Sequence, residues 1–309
     1  MSDADKGRFL VHFWGVRGSY PTPGAHTLRH GGNTSCVEVQ VGGQVLIFDA
    51  GSGIIRLGET LMQRPGGDAL NLSLFITHGH SDHLCGFPFF APLFDPRTHL
   101  HLFGPRLADL NIEQLVTPLM SPPYFPVDIR KLPSHRTYHT VVDEQCIIWR
   151  AGSTQPVVDD RKGGQEHRAD GESVRVLAQF STCHPLNGSI IYRVEYNKRS
   201  LVYATDVEWR DGCDAEFLRF IEGADVLIHD AQYTTGDYQQ EKRGFGHSTL
   251  EMATEAARDA HVHELILFHH EPTYSDSQLD AMEAEARKSF KRTSSACEGM
   301  KIDLFSVKN

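Results

Sequence analysis

Seven residues, Thr77-His78-Gly79-His80-Ser81-Asp82-His83, carry three imidazoles and a carboxylate directly after the apolar run Leu72-Ser73-Leu74-Phe75-Ile76. Neutral imidazole and carboxylate are good ligands for zinc and its first-row neighbours. On an extended segment His78 and His80 point the same way, and a turn then carries Asp82 and His83 to a second point nearby. That spacing suits two metal ions sharing one water better than one closed structural site. Paired histidines alone carry little weight in a chain with 18 His; His99 and His101 are such a pair. Four potential ligands in HxHxDH order, placed after a strand, constrain the fold far more.

With these residues the chain resembles the metallo-β-lactamase superfamily, which places a third His, a bridging Asp and a last His at strand ends. Cys183-His184 closes the apolar stretch from Val174 to Thr182. Asp206 closes Leu201-Val202-Tyr203-Ala204-Thr205, and His269 closes Leu265-Ile266-Leu267-Phe268. The resemblance implies His78, His80 and His184 on one divalent metal ion and Asp82, His83 and His269 on a second, with Asp206 bridging. His270 rivals His269, which is preferred because it comes first after the strand. Zinc is the expected metal, and manganese or iron also fits nitrogen and oxygen ligands.

Local patterns agree with an α/β chain. Strands are expected at 9–16, 36–41, 44–48 and 72–76, with a helix at 54–63. A helix is expected to start near His83 and run to Phe90. The second half reads as strands near 140–149, 173–182, 188–196, 200–205, 225–229, 263–268 and 301–307, with helices at 213–222, 247–260 and 276–290. Alternating strands and helices with ligands at strand ends fit a four-layer αββα sandwich of two mixed sheets, residues 1–309 forming one domain. Two segments interrupt the pattern. Residues 91–136, rich in Pro and aromatics, read as a surface excursion or a wall over the site. Gln155 to Glu172, with little to bury, reads as a mobile hairpin tip.

Bulk composition narrows the partners. A formal net charge of −10 argues against a broad phosphate-backbone footprint, but not against one phosphate held by metal ions. No stretch approaches the roughly 20 apolar residues of a membrane span. Six scattered cysteines without CxxC pairs, and a polar N-terminus, read as a reduced, cytoplasmic protein. Cys183 reads as a buried small hydrophobe.

Further motifs resemble ribonuclease Z and related phosphodiesterases: His184 with Gly188-Ser189-Ile190-Ile191-Tyr192-Arg193, the strand Asp225-Val226-Leu227-Ile228-His229-Asp230-Ala231, and Gly246-His247-Ser248-Thr249. The resemblance implies that His247 assists cleavage as an acid, oriented by Asp230 or His229, while Asp82 binds metal and accepts a hydrogen bond from the nucleophile. Two cations lower the pKa of a shared water so that hydroxide exists near neutral pH. The short interval from His184 to Asp206 leaves no room for a long RNA-binding arm. The expected substrate is therefore a small phosphodiester, such as a cyclic nucleotide or cyclic phosphate, with no long nucleic acid as partner and homodimerisation left open. The alternative is a thioesterase or lactonase of glyoxalase II type on the same metals. Arg17 has two readings, a phosphate contact or a structural hydrogen-bonder.

Overall fold

The computed structural model describes residues 7–64, 69–160, 172–210 and 212–307. Strand β1 (Phe9–Gly15) buries every second side chain, which turns one face to a core. β2 (Cys36–Val41) pairs antiparallel with it, and Gly42-Gly43, both at positive φ, closes the hairpin to β3 (Gln44–Phe48). Helix α1 (Ile54–Met62) buries Ile54, Leu57, Gly58 and Leu61, the i, i+3, i+4, i+7 stripe of one face. β4 (Leu70–Phe75), β5 (Thr98–Pro105) and β6 (His135–Val141) follow in parallel from β3, and β15 (Lys301–Asp303) closes the other edge on β1. Among the described residues this first sheet has the order β15-β1-β2-β3-β4-β5-β6.

The second sheet is built from β7 (Gln145–Trp149), β8 (Val157–Asp160), β9 (Val174–Ser181), β10 (Ser189–Tyr196), β11 (Arg199–Ala204), β12 (Val226–Asp230), β13 (Glu264–Phe268) and β14 (Thr293–Ser295). Its order is β14-β13-β12-β11-β10-β9-β7-β8. β11 to β14 run parallel, while β10 is antiparallel to both β9 and β11, so β9 points the same way as the parallel group. The sheets meet through Phe48, Phe75, Phe103, Trp149, Tyr192, Tyr203 and Phe268. Phe75 stacks on Phe103 at 4.6 Å between ring centroids, and Tyr203 meets Phe268 edge-on at 5.6 Å. A second apolar layer lies under α3 (Ala215–Ile221), α4 (Leu250–Asp259) and α5 (Asp276–Ser289), and a third lies under α1 with the short α2 (Ile112–Val116). Helices therefore flank two mixed sheets, the α/β sandwich expected from alternating strands and helices with ligands at strand ends. No helix among the described residues is long and apolar enough to cross a membrane.

Several expectations change. Residues 81–94 form short 3-10 turns, Ser81–His83, Phe87–Phe89 and Ala91–Phe94, instead of a helix. Pro88 and Pro92 lack the N–H that α-helical continuation needs, and Gly86 packs so tightly on Gly51 that a Cβ would meet its carbonyl at 2.1 Å. The excursion at 91–136 contains β5, an interior strand of the first sheet with Leu100, Leu102 and Phe103 buried. The expected strand at 140–149 is two strands in different sheets, β6 and β7, joined where Glu144 turns at positive φ. Of the expected tip at 155–172, Val157–Asp160 is β8, paired with β7, and residues 161–171 lie outside the described residues. The last strand is short, at Lys301–Asp303.

Candidate metal centre

The strand directions explain why the candidate ligands converge. His78 to His83 follow β4, His184 follows β9, Asp206 follows β11, and His269 follows β13, so all leave the sandwich at one edge. Asp49 and His269 take the first residue beyond a strand and Asp206 the second, all at positive φ, 61°, 61° and 56°. Non-glycine residues rarely hold this conformation, and where they do the surrounding structure must enforce it. The sharp turn swings each side chain back over the sheet edge. Gly18 makes room, since a Cβ there would meet the His269 ring at 2.4 Å.

Two groups of expected ligands result, and a third, overlapping group joins His247 to Asp206 and His269. Nitrogen or oxygen atoms of His78, His80, His184 and Asp206 lie within 4.8 Å of one another, as do those of Asp82, His83 and His269. Asp206 spans them: Oδ1 is 3.5 Å from His78 Nε2 and 3.8 Å from His184 Nε2, while Oδ2 is 3.2 Å from His83 Nε2 and 3.5 Å from His269 Nε2. His184 Nε2 is 3.0 Å from His80 Nδ1, and His83 Nε2 is 3.2 Å from His269 Nε2. His78 Nε2 is buried without a hydrogen-bond partner. An orphaned buried nitrogen among convergent imidazoles and a carboxylate is the donor set that divalent transition metals take. The residues present fit two such ions. His270 is turned elsewhere, its Nε2 donating to the Ala296 carbonyl at 3.0 Å.

Residues behind the ligands fix which ring nitrogen faces inward. Asp49 is wholly buried and accepts from His83 Nδ1 at 2.7 Å, Tyr203 Oη at 3.0 Å and the Thr77 backbone N–H at 2.8 Å. His184 Nδ1 donates to the Gly246 carbonyl at 3.0 Å. Asp82 Oδ2 accepts from the Ser19 backbone N–H at 2.7 Å. Asp49 and Ser19 were invisible as site residues in the sequence, where each stands in an ordinary turn. The only signal was the position of Asp49 at the end of β3, the strand beside β4.

The two groups differ electrostatically. Burial holds the imidazoles of His78, His80 and His184 below the ordinary histidine range, more than Asp206 offsets. Burial also pushes His83 and His269 down, but nearby carboxylates outweigh it. Asp206, Asp82 and Asp49 raise His83 well above its usual value, and Asp206 with Asp82 and Asp230 brings His269 to about 9. Burial alone would raise Asp82 and Asp206, yet the facing imidazoles hold both far below the usual carboxylate range.

His247 stands beside this cluster. Its ring stacks on His269 at 4.9 Å, and Nδ1 donates to Asp230 Oδ2 at 2.7 Å. Asp230 also accepts from the backbone of Gln232 and Ser248, which fixes its own position. His247 Nε2 has no hydrogen-bond partner among the described residues. The companion expectation for His229 is corrected: it sits on the opposite face of β12, packs against Trp209 and Phe217, and accepts from Trp209 Nε1 at 3.0 Å. It is a satisfied core imidazole. Arg17 is also structural, wholly buried and donating to the carbonyls of Gly31, Glu271 and Tyr274. Cys183 packs half-buried on the helix-side core. Within 91–136, Leu107 and Leu115 crowd Gly79 and wall the His78–His80 side, while Tyr124 points outward.

A sandwich with this donor edge defines a class, and the sequence comparisons name it. Residues 45–270 match the family model described as the β-lactamase superfamily domain, and the chain belongs to that superfamily. Among its relatives, a ribonuclease Z from Thermoplasma acidophilum is 27% identical over 95% of this chain and 96% of its own length. A ribonuclease Z from Halobacterium salinarum is 31% identical over 89% of this chain and 90% of its own length. Among solved structures, the metallo-β-lactamase fold protein YhfI from Bacillus subtilis superposes with a TM-score of 0.65 at 21% identity, covering 96% of this chain and 98% of its own. Fold, donor set and relatives make this chain a metal-dependent hydrolase.

Proposed function

We propose that the chain is a phosphodiesterase whose scissile phosphate sits over the Asp206-bridged cluster, with the leaving oxygen beside His247. The observation that carries this reading is the His247–Asp230 pair at 2.7 Å, set against the ligand cluster and not within the core. A phosphodiester leaving group is a poor alkoxide and needs a proton. An imidazole whose Nδ1 is held by a buried carboxylate can carry that proton on Nε2 and deliver it to one point in space. Two divalent ions held in the cluster, zinc as the expected metal, would supply an activated water and positive charge opposite the developing charge on phosphorus. Asp82, anchored by the Ser19 N–H, orients the attacking water; Asp206 keeps the two halves of the cluster in register. His78, His80 and His184 would hold the first ion, and His83 with His269 and Asp82 the second.

The size of the substrate is a narrower claim. Relatives named ribonuclease Z run against the expectation that no long nucleic acid is a partner. Two features favour a small phosphodiester, such as a cyclic nucleotide or cyclic phosphate. The interval from His184 to Asp206 is filled by the β10–β11 hairpin, with no inserted arm. The net charge is −10. The reading includes a cytoplasmic protein that can act as a homodimer. A metal-reconstituted panel of bis-p-nitrophenyl phosphate, cyclic nucleotides, a tRNA precursor, a thioester and a lactone tests it. Turnover of small diesters above the RNA is expected. Preference for the RNA would overturn the size claim, and preference for the thioester or lactone would overturn the phosphodiesterase itself.

A further inference from the structure

Beside His247, and in contact with His184, residues 238–246 form a strap with its own anchor. Tyr238–Lys242 is a π-turn, a rare conformation that recurs at functional sites. Glu208, its side chain without solvent exposure, accepts from Tyr238 Oη at 2.8 Å and from the backbone N–H groups of Gly244 at 2.7 Å and Gly246 at 3.0 Å. One buried carboxylate therefore pins both ends of the strap, and through the Gly246 carbonyl the strap also holds His184. A Cβ at Gly246 would collide with Pro185 and the His184 ring, so strap and metal ligand are in direct contact.

The strap presents two side chains outward. Phe245 is 54% exposed although it adjoins a buried catalytic edge. Lys242 Nζ lies 5.5 Å from the Phe245 ring and 5.8 Å from the Tyr233 ring, within cation–π range of both. The Tyr233 ring in turn meets His247 edge-on at 5.9 Å. No carboxylate among the described residues pairs with Lys242. A cation without a counter-ion, held beside an exposed aromatic face on a preorganised loop, is how proteins meet nucleotides: the base stacks and the phosphate pairs.

We infer that Lys242 and Phe245 form a leaving-group subsite for a nucleotide that carries a second phosphate, its base on Phe245 and that phosphate on Lys242. The inference rests on the phosphodiesterase reading and deepens it. Because His247 protonates the leaving oxygen, whatever lies beyond His247 contacts the leaving group. A linear diester with a further phosphate fits this subsite better than a cyclic monophosphate, which has only one.

The test compares three thymidine dinucleotides on the metal-loaded enzyme: one without terminal phosphates, one with a 5′-terminal phosphate and one with a 3′-terminal phosphate. One terminal phosphate, on the leaving side, raises kcat/KM, and the advantage shrinks as salt rises. Lys242→Met reduces that advantage by about fivefold, the size of a partly exposed ion pair. Phe245→Ala lowers all three substrates together by about tenfold and keeps their ratio, since stacking is indifferent to the extra phosphate. Lys198→Met, in the exposed β10–β11 turn, makes the same change in net charge and leaves the ratio intact. The subsite is overturned if neither terminal phosphate helps, if Lys242→Met keeps the advantage, or if Lys198→Met removes it equally. Failure of every diester, bis-p-nitrophenyl phosphate included, would overturn the phosphodiesterase reading underneath.

Discussion

Asp49→Asn changes one buried atom and attacks the second metal position through His83. Asp49 accepts from His83 Nδ1, Tyr203 Oη, and the backbone N–H and hydroxyl of Thr77. An amide of the same shape has one acceptor oxygen. If that oxygen serves the Thr77 N–H, the new NH2 faces His83 Nδ1, donor against donor. His83 then keeps its inward Nε2 free only by leaving two donors opposed, which costs about 1–3 kcal/mol in a buried site. The opposite amide orientation transfers the conflict to the Thr77 backbone. Removing the charge also eases proton competition at His83, but Asp49 ranks behind Asp206 and Asp82 in raising that imidazole, so the lost orientation dominates. Second-site affinity should fall about 10–100-fold, the usual effect of losing the group behind a ligand, while the first site, which Asp49 reaches only through Thr77, loses much less. Competitive titration against a chelator, read separately for each equivalent of metal, measures this. Equal losses at both sites, or second-site affinity within about twofold of wild type, would refute the reasoning.

The two sites should also load differently with pH. His83 and His269 hold protons at neutral pH, His269 up to about 9, and a protonated imidazole cannot bind metal. Second-site affinity should therefore fall as pH drops below about 9, with more protons released on loading near pH 7 than at the first site, where burial keeps His78, His80 and His184 below the ordinary histidine range. Calorimetry in buffers of different ionisation enthalpy counts those protons; equal release at both steps would contradict the assignment. His269→Ala should empty the second site, while His270→Ala, removing a ring tied to Ala296, should cost stability and leave metal content at about two ions. Metal analysis showing the reverse would exchange their roles.

Much of this centre was legible because its ligands cluster in chain order at strand ends. HxHxDH after β4 pointed to four candidate donors, and isolated His184, Asp206 and His269 each followed an apolar run that reads as a buried strand. His229 misled for a definable reason: it shares that strand-end position with Asp230, and a strand alternates faces, so only one of the two can reach the edge. β5 was hidden by Pro96 before it and Pro105 at its end, and by its His-Leu-His-Leu alternation, which resembles a surface strand although His101 is covered by His139. Asp49, Ser19 and Glu208 act through contacts with residues 34, 63 and 36 or 38 positions away, and no local pattern reports such pairings. The strap conformation at Tyr238–Lys242 has the same cause, since Glu208 imposes it from outside the segment.

The most direct measurement is the leaving-group dependence of His247→Ala. If Nε2 delivers the proton, the variant should slow an unactivated diester, such as a dinucleotide, by about 10²–10⁴-fold. It should slow bis-p-nitrophenyl phosphate far less, because nitrophenolate leaves without help. Metal content must be measured alongside, since His247 lies close enough to Asp206 and His269 to serve as a ligand instead. Unchanged metal content with selective loss on the unactivated diester is the predicted result. Equal losses on both substrates, or a loss of bound metal that accounts for the inactivity, would contradict the role given to His247.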